Sequence, residues 1–171
     1  MDGLIAIKEV KDMDGAKTVE TMARSIWEEH YTPIIGAAQV DYMLLKYQSA
    51  DRILNDISRG GVQYYLAYFD GTVAGYCALR PDEREKTIFF SKLYVERHMR
   101  GKGIARKFMD MVLAYASAGG YRSIWLTVNR NNVQSIEAYK RLGFSIIGEV
   151  VTDIGNGFVM DDYKMNCRVA D

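Results

Sequence analysis

The sequence predicts an α/β protein with a mostly antiparallel sheet and one parallel crossover, in a single domain over residues 1–171. Three observations carry this. Hydrophobic periodicity changes from 3.6 to 2 in the middle of the chain and later returns to 3.6. Asp70-Gly71 joins two β-rich runs, as in a tight hairpin whose turn residues need positive φ. A glycine-rich turn, Arg100-Gly101-Lys102-Gly103, leads from a strand into a helix.

Each element follows in order. Residues 4–10 alternate through Ile5 and Ile7 and read as a first strand. Residues 14–29 read as a helix, with Val19, Met22, Ala23 and Ile26 at helical spacing. Residues 31–36 break it. Two further helices are expected over 37–47 and 50–58, the second ended by Gly60-Gly61. Strands are expected over 63–69, 72–80 and 87–95. The two prolines, Pro33 and Pro81, read as loop residues. Ile104, Phe108, Val112 and Tyr115 mark the next helix, which Gly119-Gly120 stops. A strand over 123–128, a helix over 133–142 with Gly143 as its C′ residue, and antiparallel strands over 144–151 and 158–166 complete the chain.

Composition narrows the function classes. The chain is 49% hydrophobic and 26% charged, with 22 basic and 22 acidic residues. A balanced charge argues against nucleic acid and anionic membrane as partners, since both demand a basic footprint. No apolar run is long enough to span a bilayer and no secretory leader is visible, so a cytoplasmic location is expected. Cys77 and Cys167 stand alone, so neither a disulfide framework nor a metal site is expected. His30 and His98 read as exposed loop histidines, and Cys77, Met99, Met109 and Met111 as packing residues.

The turn at residues 100–105 is the main chemical signal. Glycines let backbone amides converge, and the first amides of a helix lack intrahelical acceptors. With the helix dipole they suit a phosphate. Arg97, Arg100 and Lys102 add positive charge. A nucleoside-triphosphate loop needs Ser or Thr after Gly-Lys, and Gly103 stands there. A dinucleotide fingerprint needs a third glycine where Arg106 stands, and an acidic residue where the next strand closes on Asn129.

Arg100-Gly101-Lys102-Gly103-Ile104-Ala105 resembles the [Arg/Gln]-x-x-Gly-x-[Gly/Ala] signature of the GNAT superfamily of acetyltransferases. Asn132-Val133-Gln134-Ser135-Ile136-Glu137-Ala138-Tyr139-Lys140-Arg141-Leu142-Gly143-Phe144 resembles that family's Asn-x-x-[Ser/Ala]-x-x-x-Tyr-x-x-x-Gly-Phe segment at the same spacing. Ala74-Gly75-Tyr76 resembles its Gly-aromatic strand. The resemblance implies a twisted, mostly antiparallel sheet of about seven strands with four to five helices. Two parallel strands splay in its middle, here residues 87–95 and 123–128.

It also implies acetyl-CoA as cosubstrate, with no metal. By position, the backbone of Leu93, Tyr94 and Val95 would bond the pantetheine arm and acetyl carbonyl. Amides of Arg100, Gly101, Lys102, Gly103, Ile104 and Ala105 would hold the pyrophosphate, and Asn132 would contact the cofactor arm. Asn132 also reads as a helix N-cap, and Asn131 with Gln134 has capping-box spacing. Tyr139 would give the departing thiolate its proton, and it also reads as a packed aromatic. No carboxylate lies within residues 87–94 to act as the family's usual base. Glu28, Glu29, Asp161, Asp162 and a water chain all stay open.

The acceptor would meet residues 27–47 and 153–163. There Trp27, Glu28, Tyr31 and Asp161 suit a cationic amine, because carboxylates and aromatic faces both attract ammonium. This region is similar to bacterial GNAT proteins that acetylate spermidine and spermine. A polyamine-like small molecule is the leading acceptor. A protein N-terminus or lysine, or acyl-CoA sensing without turnover, are the alternatives. A homodimer is expected from the same resemblance.

Overall fold

Asp70 and Gly71 take φ of 49° and 81°, and this turn folds β2 (Gln63–Phe69) back on β3 (Thr72–Asp82). The two pair antiparallel from Gln63↔Leu79 to Phe69↔Thr72, with a bulge between Ala67 and Tyr68. The computed structural model describes residues 3–170. Its contacts divide the chain into two compact units. One comprises residues 3–80 together with Lys92–Asp110; the other comprises Pro81–Ser91 and residues 111–170.

In the first unit, β1 (Ile5–Glu9) pairs antiparallel with β2. Three helices follow β1: α1 (Met13–Ile35), α2 (Ala37–Tyr47) and α3 (Ala50–Arg59). Asp12 caps α1, its Oδ1 accepting from Gly15 N–H at 2.9 Å, and Ser49 caps α3 through Arg52 N–H. The expected break at residues 31–36 is corrected, because α1 runs to Ile35 and Pro33 lies inside its last turn. Pro33 gives up the helical bond to the Glu29 carbonyl and its ring crowds that oxygen, a cost of about 3 kcal/mol, and the helix continues only two residues beyond it. Gly36, at φ 88°, makes the stop, its N–H bonding Thr32 O. Pro81 is also no loop residue, since β3 extends to Asp82. The core joins Ala16, Val19, Met22, Ala23 and Ile26 of α1 to Ile53, Tyr64, Leu66, Tyr76 and Ala78.

The second unit holds β5 (Ser123–Asn129), α5 (Val133–Arg141), β6 (Ser145–Gly155) and β7 (Phe158–Arg168). Strand β5 pairs antiparallel with β7 from Ser123↔Arg168 to Asn129↔Asp162, and β7 pairs antiparallel with β6. Both last strands outrun their expected ends, because the turn at Asn156-Gly157 (φ 55° and 79°) closes a longer hairpin. Ile124, Leu126 and Val128 of β5, Phe144 and Met165 are buried.

Strand β4 (Thr87–Val95) and α4 (Ile104–Gly119) contribute residues to both units. The parallel crossover is β4 with β5, in register from Thr87↔Ser123 to Phe89↔Trp125. Phe89 and Trp125 stack there at 4.2 Å. Among the described residues the sheet has seven strands in the order β1-β2-β3-β4-β5-β7-β6, with five helices, in agreement with the predicted class. Among the described residues no helix is long and apolar enough to cross a membrane.

Candidate active site

Strand β4 ends at Val95, a single 3₁₀ turn covers Arg97–Met99, and α4 starts at Ile104. Gly101 and Gly103 take φ of 78° and 86°. A Cβ at either position would meet nothing within 4 Å, so conformation rather than space demands glycine here. The first bond entering α4 runs from Lys107 N–H to Gly103 O at 3.0 Å. The amides of residues 101–105 thus precede the helical ladder, where an anion is best received. The basic side chains around the turn have other partners. Arg97 pairs with Glu29 at 3.0 Å, Arg100 Nε bonds the Val95 carbonyl at 3.3 Å, and Lys102 Nζ lies 4.9 Å from the Phe69 ring centroid.

Close approach positions β4. A Cβ on Gly75 would stand 2.6 Å from the Tyr94 carbonyl, and Glu96 N–H bonds Ala74 O at 2.8 Å. The Ala74-Gly75-Tyr76 segment thus serves backbone proximity. Leu93 is buried. The Tyr94 ring packs edge-on against Trp27 and Tyr31 at 5.6 and 6.1 Å, and the Tyr31 and Tyr94 hydroxyls share a 3.2 Å hydrogen bond. Trp27, one of the anticipated acceptor residues, is buried in the α1 core, while Tyr31 is half-buried.

The acidic residues of segment 27–47, Glu28, Glu29 and Asp41, are already paired. Glu28 meets Arg24 at 2.9 Å, Arg24 also reaches Asp41 at 4.0 Å, and Glu29 meets Arg97. All are at the surface, where such pairs contribute little stability.

In the second unit, Asn132 is buried and caps α5, its Oδ1 accepting from Ser135 N–H at 3.4 Å. The capping-box reading of Asn131 is corrected: its N–H is held by Asn129 Oδ1 at 2.9 Å, in the turn that precedes the cap. Tyr139 lies in the last turn of α5. Its carbonyl accepts from Phe144 N–H, and its ring stands edge-on to Phe144 at 6.2 Å. Gly143, at φ 107°, makes the expected C′ position. Asp161 pairs with Arg130 at 2.8 Å, and Glu149 approaches the same guanidinium at 3.5 Å.

Lys92 went unrecognised in the sequence reading, and Asp162, one of its open base candidates, takes an environment that the sequence did not mark. Lys92 is an amine in the β4 stretch that lacks a carboxylate; desolvation pushes its ammonium down to about 8, against the pull of Asp56, and its Nζ lies 5.9 Å from the Tyr64 centroid. Asp162 is 4% exposed, and burial pushes its carboxyl up to about 6. No motif marks either one. The only signal for Asp162 was its alternation against Asp161, read against a buried neighbouring strand.

The model of the Acetyltransferase (GNAT) family matches residues 20–144. The chain belongs to this family. N-acetylaspartate synthetase of Xenopus tropicalis is 31% identical over 90 residues, covering 53% of this chain and 33% of the relative. A probable spermine N(1)-acetyltransferase of Bacillus subtilis subsp. natto is 26% identical over 90 residues, covering 48% of this chain and 59% of the relative. The match thus spans between a third and three fifths of these relatives. The fold is similar to that of the PaiA N-acetyltransferase of Thermoplasma acidophilum, solved with coenzyme A. The TM-score is 0.80 at 20% identity, covering 96% of this chain and 99% of that one.

Proposed function

We propose that this GNAT-family chain acts as one acetyltransferase domain that moves an acetyl group from acetyl-CoA to a primary amine of a small molecule. The observation that carries the reading is the pair of positive-φ glycines, Gly101 and Gly103, placed between β4 and α4 inside the segment that matches the family. The residues present fit the cosubstrate. Amides of residues 101–105 suit its pyrophosphate. The backbone of Leu93, Tyr94 and Val95 suits its amide-bearing arm, in the manner of an added strand. Asn132 is assigned to the same arm. The Tyr139 phenol is assigned to proton delivery to the thiolate, since a phenol is a neutral donor at pH 7.

The leading acceptor class is a polyamine. The similarity to the probable spermine N(1)-acetyltransferase of Bacillus subtilis subsp. natto supports it; Glu28, Tyr31 and Asp161 are assigned to the acceptor by the family resemblance, and Trp27 packs edge-on against Tyr31. Thiol release measured across a panel of spermidine, spermine, aspartate and a lysine peptide tests this. Turnover of the polyamines is expected; turnover of the peptide alone would move the reading to protein acetylation. Acetyl-CoA binding without any turnover would make the chain an acyl-CoA sensor. Cytoplasmic location and a homodimer belong to the same reading. The sheet ends on β6, where Ile146, Ile147 and Val151 are exposed, which supports self-association.

A further inference from the structure

Asp161 and Asp162 are neighbours with one chemistry, but β7 turns their side chains to opposite faces. Asp161 lies opposite Val151 of β6, and its side chain is 45% exposed and paired with Arg130. Asp162 lies opposite Asn129 at the end of β5 and opposite Val150 of β6, and is 4% exposed. Among the described residues no cation stands within ion-pair distance of it. The Thr127 hydroxyl favours its charged form, and the adjacent Asp161 charge opposes it. Arg130 is turned to Asp161, Glu149 and the Tyr163 ring, and Lys164 Nζ rests 4.4 Å from the Trp125 centroid. A buried carboxylate without a counter-charge is costly to keep and is held most readily for a ligand that supplies the charge. Its place agrees: β5 belongs to the parallel pair, α5 follows it, and ligands of such crossovers sit beyond the carboxyl ends of the strands.

We propose that Asp162 receives the acceptor's ammonium group and takes one proton from it. The inference rests on the amine-transfer reading above and narrows it to primary alkylamines with no carboxylate beside the nitrogen, because the buried Asp162 carboxylate would itself repel one. The steps balance as follows. An ammonium proton passes to an Asp162 Oδ, leaving a neutral amine. Its lone pair forms the N–C bond to the thioester carbonyl carbon, and the C–S bond breaks with its electron pair on sulfur. The nitrogen loses its second proton as the phenol of Tyr139 protonates the thiolate and is itself reprotonated. Asp162 then releases its proton to water. A carboxyl held near 6 is a base matched to this task near neutral pH.

The test uses the purified full chain with acetyl-CoA. Asp162→Asn should lower kcat/KM for spermidine by about 100-fold or more and remove the acid limb of the pH profile near 6, as loss of a general base does. Asp161→Asn should keep that limb. Thr127→Val should move it to higher pH, since the hydroxyl favours the charged carboxylate. Thermal melting checks folding, and calorimetry should show acetyl-CoA affinity intact while spermidine affinity falls about tenfold in Asp162→Asn. An unaltered acid limb in Asp162→Asn, or preferential turnover of aspartate by the parent chain, would overturn the proposal. Should the parent bind spermidine but turn over no amine, the transfer reading fails. Asp162 as ammonium receptor then stands or falls on the binding loss in Asp162→Asn.

Discussion

The turn heading α4 and the end of β5 beside β7 are assigned opposite tasks and are built of opposite materials. In the proposed function the turn meets negative charge with backbone: two glycines take positive φ while Arg97, Arg100 and Lys102 have other partners. In the proposed acceptor site β7 meets positive charge with one side chain, Asp162, which has no counter-ion among the described residues. Backbone sites are specified by conformation, and conformation shows as glycine spacing. A side-chain site is specified by burial and by what the neighbours bind, and a string of residues shows neither. The acids of α1 underline this: Glu28 and Glu29 are carboxylic acids like Asp162, yet each already has an arginine partner.

Four substitutions would break or sharpen the contrast. Gly103→Val should raise the KM for acetyl-CoA on the order of 10-fold or more, because a β-branched residue at φ 86° is strained and the turn must reshape. If steady-state kinetics leave that KM untouched, the backbone does not hold the pyrophosphate. Tyr139→Phe should lower kcat about 10-fold while the KM for acetyl-CoA stays put, the split expected of a proton donor. An equal loss in both would mark Tyr139 as a packing residue against Phe144.

Asp162→Asn should raise the melting temperature at pH 7, by about 3–6 °C for a stabilisation on the order of 1–2 kcal/mol. The folded carboxyl holds its proton more tightly than the ordinary 3.8 of the unfolded chain, at about 6. Stability from this group is thus greatest in acid and falls as pH rises through that window. The gap between parent and variant should be absent below about pH 4 and full above about 6; melting scans across pH check the sign. The smallest effect belongs to Glu29→Gln. It releases Arg97 toward the turn and should lower the acetyl-CoA KM by less than about twofold, and only at low salt.

Much of this was legible before the structure. The Asp70-Gly71 hairpin, the turn, the Gly143 stop of α5 and the element order all rest on local conformational rules, and all stand. The misplaced features are those that tertiary contacts decide. Pro33 reads as a breaker but is tolerated in the last turn of α1, where Gly36 makes the true stop. Pro81 is carried inside β3. Asn131 and Asn132 offer similar caps by spacing, and the choice fell to Asn132 because Asn129 takes the Asn131 amide. The pair Asp161 and Asp162 could be separated only once β5 supplied a register.

The Tyr64–Gln48–Tyr76 chain has an optical consequence. Gln48 donates to the Tyr64 hydroxyl at 3.1 Å and accepts from Tyr76 at 2.7 Å, all three buried. Burial holds both phenols protonated well beyond the usual tyrosine range. Of the chain's 12 tyrosines, these two contribute no tyrosinate absorbance while the first unit stays folded. Tyr121 of the second unit is likewise held protonated by its bond to Glu83, so the late ultraviolet step in an alkaline titration becomes a label-free clock for the opening of the first unit in a Tyr121→Phe background.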